Sequence, residues 1–261
     1  MNDSAGSKEE VGALGRGLAL LKVIGMAAAP MSNRELADTT GLPKATVSRL
    51  TATLVGAGYL RQSQDSERFS LGPALLDMSS SYLRHFDLRT VARPYLSELS
   101  EFAGASVHVA VRDELDMVVI DSLRPRSVLI SSRLEVGTRM TMVTSAAGRA
   151  SLAALPAAEQ ATVLQQIRQE SGENWASIEP RLLAGLDEYA RLGYCSSFGE
   201  WHPHIHALGF ALHGPHGERY GVSCGGPAYL LPKEMMLGRV ASKLLEIAQR
   251  ISGETGTVST D

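Results

Sequence analysis

The segment SNRELADTTGLPKATVSRLTATLV at residues 32 to 55 constrains this chain most, because its small, glycine and apolar positions fall where two short helices must cross at a tight turn. Ser32 can accept a backbone N–H bond while Glu35, three residues on, reaches back to the Ser32 N–H, so a capping box starts the first helix. Ala37 is small enough to let a second helix approach, Gly41 permits a positive φ at the turn, and Pro43 stands in the first turn of the next helix, where its missing N–H costs nothing. Val47, Leu50 and Leu54 then recur at i, i+3 and i+7 and predict one buried stripe. Lys44, Ala45, Thr46, Ser48 and Arg49 are left facing outward, a set of donors with a small residue among them. They occupy the N-terminal end of the second helix, the end that enters the major groove in a helix-turn-helix. With Pro43 before them and Arg34 on the first helix, they form the candidate surface for a double-stranded DNA operator. The competing reading is a plain helical hairpin in a bundle, where the same signals would serve packing alone.

Two neighbouring segments favour the DNA reader. Upstream, Leu14, Leu18 and Leu21 mark an amphipathic helix with Arg16 on its polar side, the third helix such a unit needs for a core. Downstream, GYLRQSQDSERFSLG at 58 to 72 alternates around Tyr59 and Leu60 and again around Phe69 and Leu71. It reads as a β-hairpin wing that places Arg61 and Arg68 to meet phosphates. The whole chain carries a formal charge of -3, yet residues 11 to 72 hold seven basic side chains against four acidic ones. A module this mildly basic neutralises few phosphates, so the charge points to a dimer reading a two-fold site.

These residues resemble the IclR family of bacterial transcriptional regulators. LGRGLALLKVI at 14 to 24, RELADTTGLPKATVSRLTATLVGAGYL at 34 to 60 and RFSLGPALL at 68 to 76 are similar to the family's winged-helix pattern. GTRMTMVTSAAGRASLAAL at 137 to 155 is similar to its effector-domain signature, and YGVSCGGP at 220 to 227 to a later strand motif. The resemblance covers nearly the whole chain. It departs at Ala211 in HALGFAL, where the family usually has a proline, and in the histidine-rich EWHPHIH before it. The family implies a ligand-binding domain of the GAF or profilin-like kind, a linker helix packed on a partner subunit, and a homodimer or a dimer of dimers.

Gly72 and Pro73 end the wing, and PALLDMSSSYLRHF carries a wide apolar face through Leu75, Leu76, Met78, Tyr82 and Leu83, the expected linker helix. From about residue 88 a helix with Val91, Tyr95, Leu96 and Leu99 precedes strands at 105 to 113, 115 to 123 and 127 to 132. Helices follow at 146 to 156 and in EQATVLQQIRQE and EPRLLAGLDEYARLG, then strands at 194 to 198, 205 to 213 and 219 to 225, the last two joined by GPHGE, and a final helix KEMMLGRVASKLLEIAQRI. This order predicts an α+β domain with a mainly antiparallel, curved sheet. The expected division is a disordered N-terminus at 1 to 10, a winged helix-turn-helix domain at 11 to 72, a linker helix at 73 to 87, an effector-binding domain at 88 to 253 and a disordered tail at 254 to 261. A hydrophobic content of 44% over 261 residues suffices for two domain cores. No apolar run reaches membrane-spanning length, no signal peptide opens the chain, and only Cys195 and Cys224 are present, which fits a cytoplasmic protein away from membranes.

No G-x-S-x-G, Walker or H-E-x-x-H pattern occurs, so neither an enzyme nor a cofactor is expected, and Ser145 reads as a pocket residue because no base is placed for it by motif. His202, His204 and His206 alternate, so in an extended segment all three imidazoles could face one side, with Glu200, Cys195 and Cys224 as neighbours for a transition metal. Pro203 inside the run and the lack of fixed-spacing pairs weigh against this. The simpler reading has these histidines hydrogen-bonding an anionic effector or lining the cavity mouth, with Trp201 as a cavity wall or an ordinary core aromatic. A metal- or redox-responsive regulator is therefore the competing function.

Aligned on its signature motifs, the family implies an effector cavity lined by Leu129, Met140, Ser145, Ala146 and Ala147 on one side and by Ile205, Ala207, Ser223 and Gly225 on the other. Ser145 and Ser223 would supply hydroxyls, and the amides of Ala146 and Ala147 at a helix N-terminus would favour a carboxylate. Small side chains at Ala146, Ala207 and Gly225 leave room for more than a two- or three-carbon acid. The reading is a transcriptional regulator in which a small organic acid or aromatic metabolite prefers one state of the effector domain and alters the spacing of paired DNA readers.

Overall fold

The computed structural model describes residues 12 to 84, 88 to 126, 134 to 214 and 217 to 255. The chain divides into two compact units, Met1–His85 and Phe86–Asp261.

The first unit runs α1 (Gly12–Met26), α2 (Asn33–Thr40), α3 (Lys44–Gly56), β1 (Leu60–Gln62), β2 (Phe69–Leu71) and α4 (Ala74–Arg84). The capping box forms: Ser32 N donates to Glu35 Oε2 at 2.7 Å, and Glu35 N donates to Ser32 Oγ at 3.3 Å. Gly41 ends α2 at φ 69°, where a side chain would be strained, and its N–H donates to Ala37 O at 2.9 Å. The wing is an antiparallel pair with Leu60 opposite Leu71 and Gln62 opposite Phe69. Leu20, Ile24, Leu36, Ala37, Val47, Leu60 and Phe69 build the core.

Two apolar stripes differ from expectation. In α1 the buried positions are Gly17, Leu20 and Ile24, whereas Leu14 and Leu18 are 62% and 51% exposed. The helix carries leucines on more than one face, and contact with α2 and α3 selects among them. In α3, Val47 is fully buried, Leu50 and Leu54 are half-buried, and Thr51 takes an inner position. Its hydroxyl is satisfied there by Val47 O at 3.0 Å and Asn33 Oδ1 at 3.1 Å. Along α4 none of the described residues is buried, and Leu76, Met78 and Tyr82 stand exposed.

The second unit begins with α5 (Leu88–Ala103), β3 (Ser106–Asp113), β4 (Asp116–Leu123) and β5 (Arg139–Thr141). Next come α6 (Ala146–Ala153), α7 (Ala157–Ser171), α8 (Trp175–Leu192), β6 (Cys195–Phe198), β7 (Ile205–His213) and β8 (Arg219–Pro227). It closes with α9 (Lys233–Met235), which runs through a π-helical turn (Met236–Val240) into α10 (Ala241–Thr255). The strands form one antiparallel sheet in the order β5-β4-β3-β8-β7-β6. The short β5, pairing Arg139 with Val118 and Thr141 with Asp116, was not expected as a strand. The strand expected at 127 to 132 lies outside the described residues, as do residues 215 and 216 of the β7–β8 turn. Among the described residues no helix is long and apolar enough to cross a membrane.

Helices α5 and α10 pack on each other and on β3 and β7, while α6, α7 and α8 share a cluster that includes Ala110, Met117, Val119, Met142, Leu152, Ile167 and Leu182. Alternation along β3 sends Ser106, His108 and Ala110 to the α6 side and Val107 and Val109 to the other. The α6 backbone lies directly on the sheet. A Cβ at Gly209 would stand 2.2 Å from Ala146 O, and one at Gly221 would stand 2.4 Å from Ala147 O.

A methyl group at Gly209 therefore forces helix and sheet apart. Gly209→Ala is expected to cost about 1–3 kcal/mol or more, seen as a lower urea midpoint for the second unit. Gly253→Ala, where nothing lies within 4 Å of the added carbon, should leave the midpoint unchanged or slightly raised.

Candidate DNA-reading helix and effector cavity

Helix α3 begins at Lys44 with Pro43 in the capping position, and the N–H groups of Thr46 and Val47 both donate to Pro43 O, at 2.9 and 3.0 Å. Pro43, Lys44, Ala45, Ser48 and Arg49 are exposed over its first turns and Thr46 is half-buried, while Val47 and Thr51 hold the inner face. Arg16 on α1, Arg34 on α2 and Arg61 on β1 are exposed too, Arg34 in a loose 3.9 Å pair with Asp38.

Arg68 is placed differently. Its two terminal nitrogens bond the Glu35 carboxylate at 2.9 and 3.1 Å, and one also donates to Pro30 O at 2.7 Å. The guanidinium expected on a phosphate is thus committed inside the protein, where it ties the wing to the cap of α2. Glu35 serves both ends of this link. Hydrogen bonds from the Ser32 backbone and hydroxyl, and then from Arg68, hold its carboxyl down to about 2.

In the second unit, the start of α6 and strands β3, β7 and β8 border a cleft with about 460 Å³ of empty space, part of it open to solvent. That size suits a small organic molecule. Met140, Ser145, Ala146, Ile205, Ala207, Ser223 and Gly225 line it, as expected positions. Leu129 lies outside the described residues. Ala147 does not line the cleft: it is buried where α6 meets the sheet, and a Cβ at Gly209 would stand 2.8 Å from its amide nitrogen. That amide faces strand backbone instead of a carboxylate.

Ser145 also serves differently. It caps α6, accepting from Gly148 N at 3.1 Å and donating its proton to Thr141 O at 2.7 Å. Ser197, which also borders the cleft, donates to Thr144 O at 2.7 Å. Sequence reasoning missed Ser106 and His108, polar positions alternating within the apolar strand SVHVAV. Their period was the available signal. Both are buried, and Ser106 Oγ and His108 Nε2 have no hydrogen-bond partner in the protein. Burial, with help from the nearby Arg124 charge, brings His108 down to about 4, so its imidazole is neutral at physiological pH. Among the described lining residues there is no Lys or Arg.

The histidine-rich segment is a turn, not an extended strand, up to His204. Ile205 N closes it by donating to His202 O at 3.0 Å, and Gly199 enters it at φ 80°. His206, on β7, places Nδ1 2.8 Å from Leu231 O and packs edge-on against Phe198. The three imidazoles therefore do not share one side. Cys195 and Cys224 are buried free thiols, both pushed up by burial, Cys224 to about 12, which makes them poor thiolates. Trp201 is at once a cleft wall and part of the core. Its neighbour Glu200 pairs through both carboxylate oxygens with the buried Arg149 of α6, so the wall is anchored to the helix it faces.

A winged helix-turn-helix with outward donors, followed by an α+β unit with a ligand-sized cleft, defines a DNA-binding regulator with a sensor domain. The IclR helix-turn-helix domain profile matches residues 13 to 64, and the profile of the bacterial transcriptional regulator IclR C-terminal region matches residues 80 to 253. The chain belongs to the IclR family of bacterial transcriptional regulators. It is 31% identical over 227 residues to the HTH-type transcriptional regulator TsaQ1/TsaQ2 of Comamonas testosteroni, covering 86% of this chain and 81% of that one. It is 28% identical over 222 residues to the transcriptional repressor IclR of Escherichia coli strain K12, covering 84% and 81%. The crystal structure of an IclR family transcriptional regulator from Brucella abortus matches at a TM-score of 0.85 and 35% identity, over 97% of this chain and 96% of that one. The chain is a DNA-binding transcriptional regulator of a non-enzymatic family.

The Glu35 carboxyl is held below its ordinary value of 4.5, so the support it gives the cap is complete above that pH and fades as pH falls toward 2. Carbon-13 titration of the side-chain carboxyl should find it still ionised at about pH 3, and Arg68→Ala should raise its midpoint toward the ordinary value. A native midpoint near 4.5 would contradict the link between cap and wing.

Proposed function

We propose that this regulator acts in the cytoplasm as a dimer or a dimer of dimers, reads a two-fold operator through α3, and senses a small organic acid or aromatic metabolite in the cleft of its second unit. The cleft carries this reading. It combines apolar walls from Met140, Trp201 and Ile205 with polar atoms on β3 that lack partners in the protein. Each such atom costs about 1–3 kcal/mol while unsatisfied, and a ligand that bonds it recovers that energy. The acid end is assigned to the amide end of α6 at Ala146 and to the Ser223 hydroxyl, with Ser145 acting as the cap that holds the helix start in place. A ligand that binds one state of this unit better shifts the population of that state, and operator affinity follows.

Arg49 and Lys44 are assigned the main contacts to DNA, with Thr46 and Ser48 beside them, and Arg16, Arg34 and Arg61 the phosphates. The exposed apolar side chains Leu14, Leu18, Leu76, Met78 and Tyr82 support self-association of the first unit with a second copy.

Arg49→Ala should weaken operator binding by about 1–3 kcal/mol in a gel-shift titration, and unchanged affinity with unchanged base preference would refute the placement of α3. Sedimentation at micromolar concentration should find a dimer or larger, and a monomer would contradict the self-association. In a thermal-shift screen of organic acids, a ligand at 100 times its dissociation constant adds about 2.7 kcal/mol to the folded state. Ala146→Leu, which fills the cleft, should abolish that stabilisation while operator binding persists. A screen in which no small organic molecule raises the melting temperature would sink the sensing half of the proposal.

A further inference from the structure

We propose that Ser106 and His108 recognise a hydroxyl group of the effector, so that the cleft selects a hydroxylated aromatic acid held at two ends. This inference rests on the effector reading above and names the class of ligand. Buried polar side chains without partners are uncommon in native proteins, and here three sit on neighbouring strands: Ser106 Oγ and His108 Nε2 on β3, and Ser122 Oγ directly across from His108 on β4. The first two border the cleft, and their residues are only 2% and 5% exposed.

The chemistry of the pair selects the partner. A neutral imidazole nitrogen offers either a lone pair or a proton according to its tautomer, and a serine hydroxyl rotates to offer whichever is missing. A ligand hydroxyl donates and accepts at once, so it satisfies both atoms in either arrangement and brings no charge. A carboxylate can only accept, and it would bring a negative charge to an end whose described lining holds no cation; Arg124, near enough to act on His108, is exposed and outside that lining.

The spacing supports two-ended binding. His108 lies opposite Ser223 on β8, Ser223 lies opposite Gly209 on β7, and Gly209 abuts the first peptide of α6. Two strand spacings, about 10 Å, thus separate the β3 pair from the α6 N-terminus. One aromatic ring, with an acid at one end, a hydroxyl at the other and a hydrogen bond beyond each, spans such a gap. The apolar residues Met140, Trp201 and Ile205 wall the space between.

The test uses the full chain and four probes: benzoate, 4-hydroxybenzoate, phenylacetate and 4-hydroxyphenylacetate, titrated by calorimetry. At least one hydroxylated acid should bind about tenfold or more tightly than its parent, because a site built to bond a hydroxyl penalises the analogue lacking it. Ser106→Ala and His108→Leu should each reduce that preference to near unity while leaving parent-acid affinity and operator binding in place. Operator binding checks folding, and if the histidine variant fails it, the serine variant carries the test. Equal binding of parents and hydroxylated acids overturns the hydroxyl assignment and leaves the effector reading standing. A preference that survives both substitutions overturns the role of this pair. Binding of none of the four overturns the aromatic acid assignment, and only a negative result in the broader thermal-shift screen would also remove the effector reading.

Discussion

The backbone-to-backbone contact of α6 with β7 and β8 is the constraint on which the second unit depends. Gly209 and Gly221 leave no side chain between helix and sheet, so the peptides of Ala146 and Ala147 rest on strand backbone. A helix seated this low has little freedom to shift, because protein interiors are close-packed. Its N-terminus is thereby fixed at the edge of the cleft. The same seating explains why the helix is buried from Ala146 through Leu152, and why a charged residue within it, Arg149, needs a complete set of acceptors. It finds them in Glu200, Val143 O and Ser196 O. Through Glu200 the helix in turn holds the loop that carries Trp201. One close contact thus positions the helix start and, by way of a buried ion pair, the opposite wall.

An analogous economy holds in the first unit, where Glu35 serves two partners. Its carboxylate closes the capping box with Ser32 and receives the Arg68 guanidinium from the wing. The orientation of α2 and the position of β2 are coupled at this one carboxylate. Because α3 packs against α2 through the core around Leu36 and Val47, the reading helix is held by a scaffold whose wing is internally bonded. The consequence for DNA recognition is a division of labour among arginines. Arg49 and Arg61 remain exposed, whereas Arg68 works on the protein itself.

The cleft departs from local packing rules in a way that carries information. Elsewhere inward polar groups are satisfied: Thr51 by Val47 O and Asn33, Ser145 by Thr141 O and Gly148 N, Ser197 by Thr144 O. Ser106 and His108 break that pattern on the face where the sheet borders empty space. Unsatisfied polar groups concentrated at one cavity are a local cost that binding can recover.

Much of the first unit was legible in the sequence because its determinants are local. A capping box spans four residues, a left-handed turn needs the glycine at Gly41, and a proline at a helix start acts on its own neighbours, so Ser32, Glu35, Gly41 and Pro43 could be read without knowing the fold. The strands of the second unit were legible for the same reason, as runs of alternating or continuous apolar residues; the short β5 was not, since three residues carry no period. What only the tertiary structure decided are choices among local equals. Contacts with α2 and α3 determined that Leu20 and not Leu18 of α1 is buried, and the approach of the wing to α2 gave Arg68 a carboxylate in place of a phosphate. The pairing of β3 with β8 brought His108 opposite Ser223, and the seating of α6 turned Ala147 from a ligand donor into a packing residue. Local signals specify which element a residue enters, because they act through bonds and neighbours a few residues away; its partner within that element comes from chain segments far off in sequence, and only folding brings those into contact.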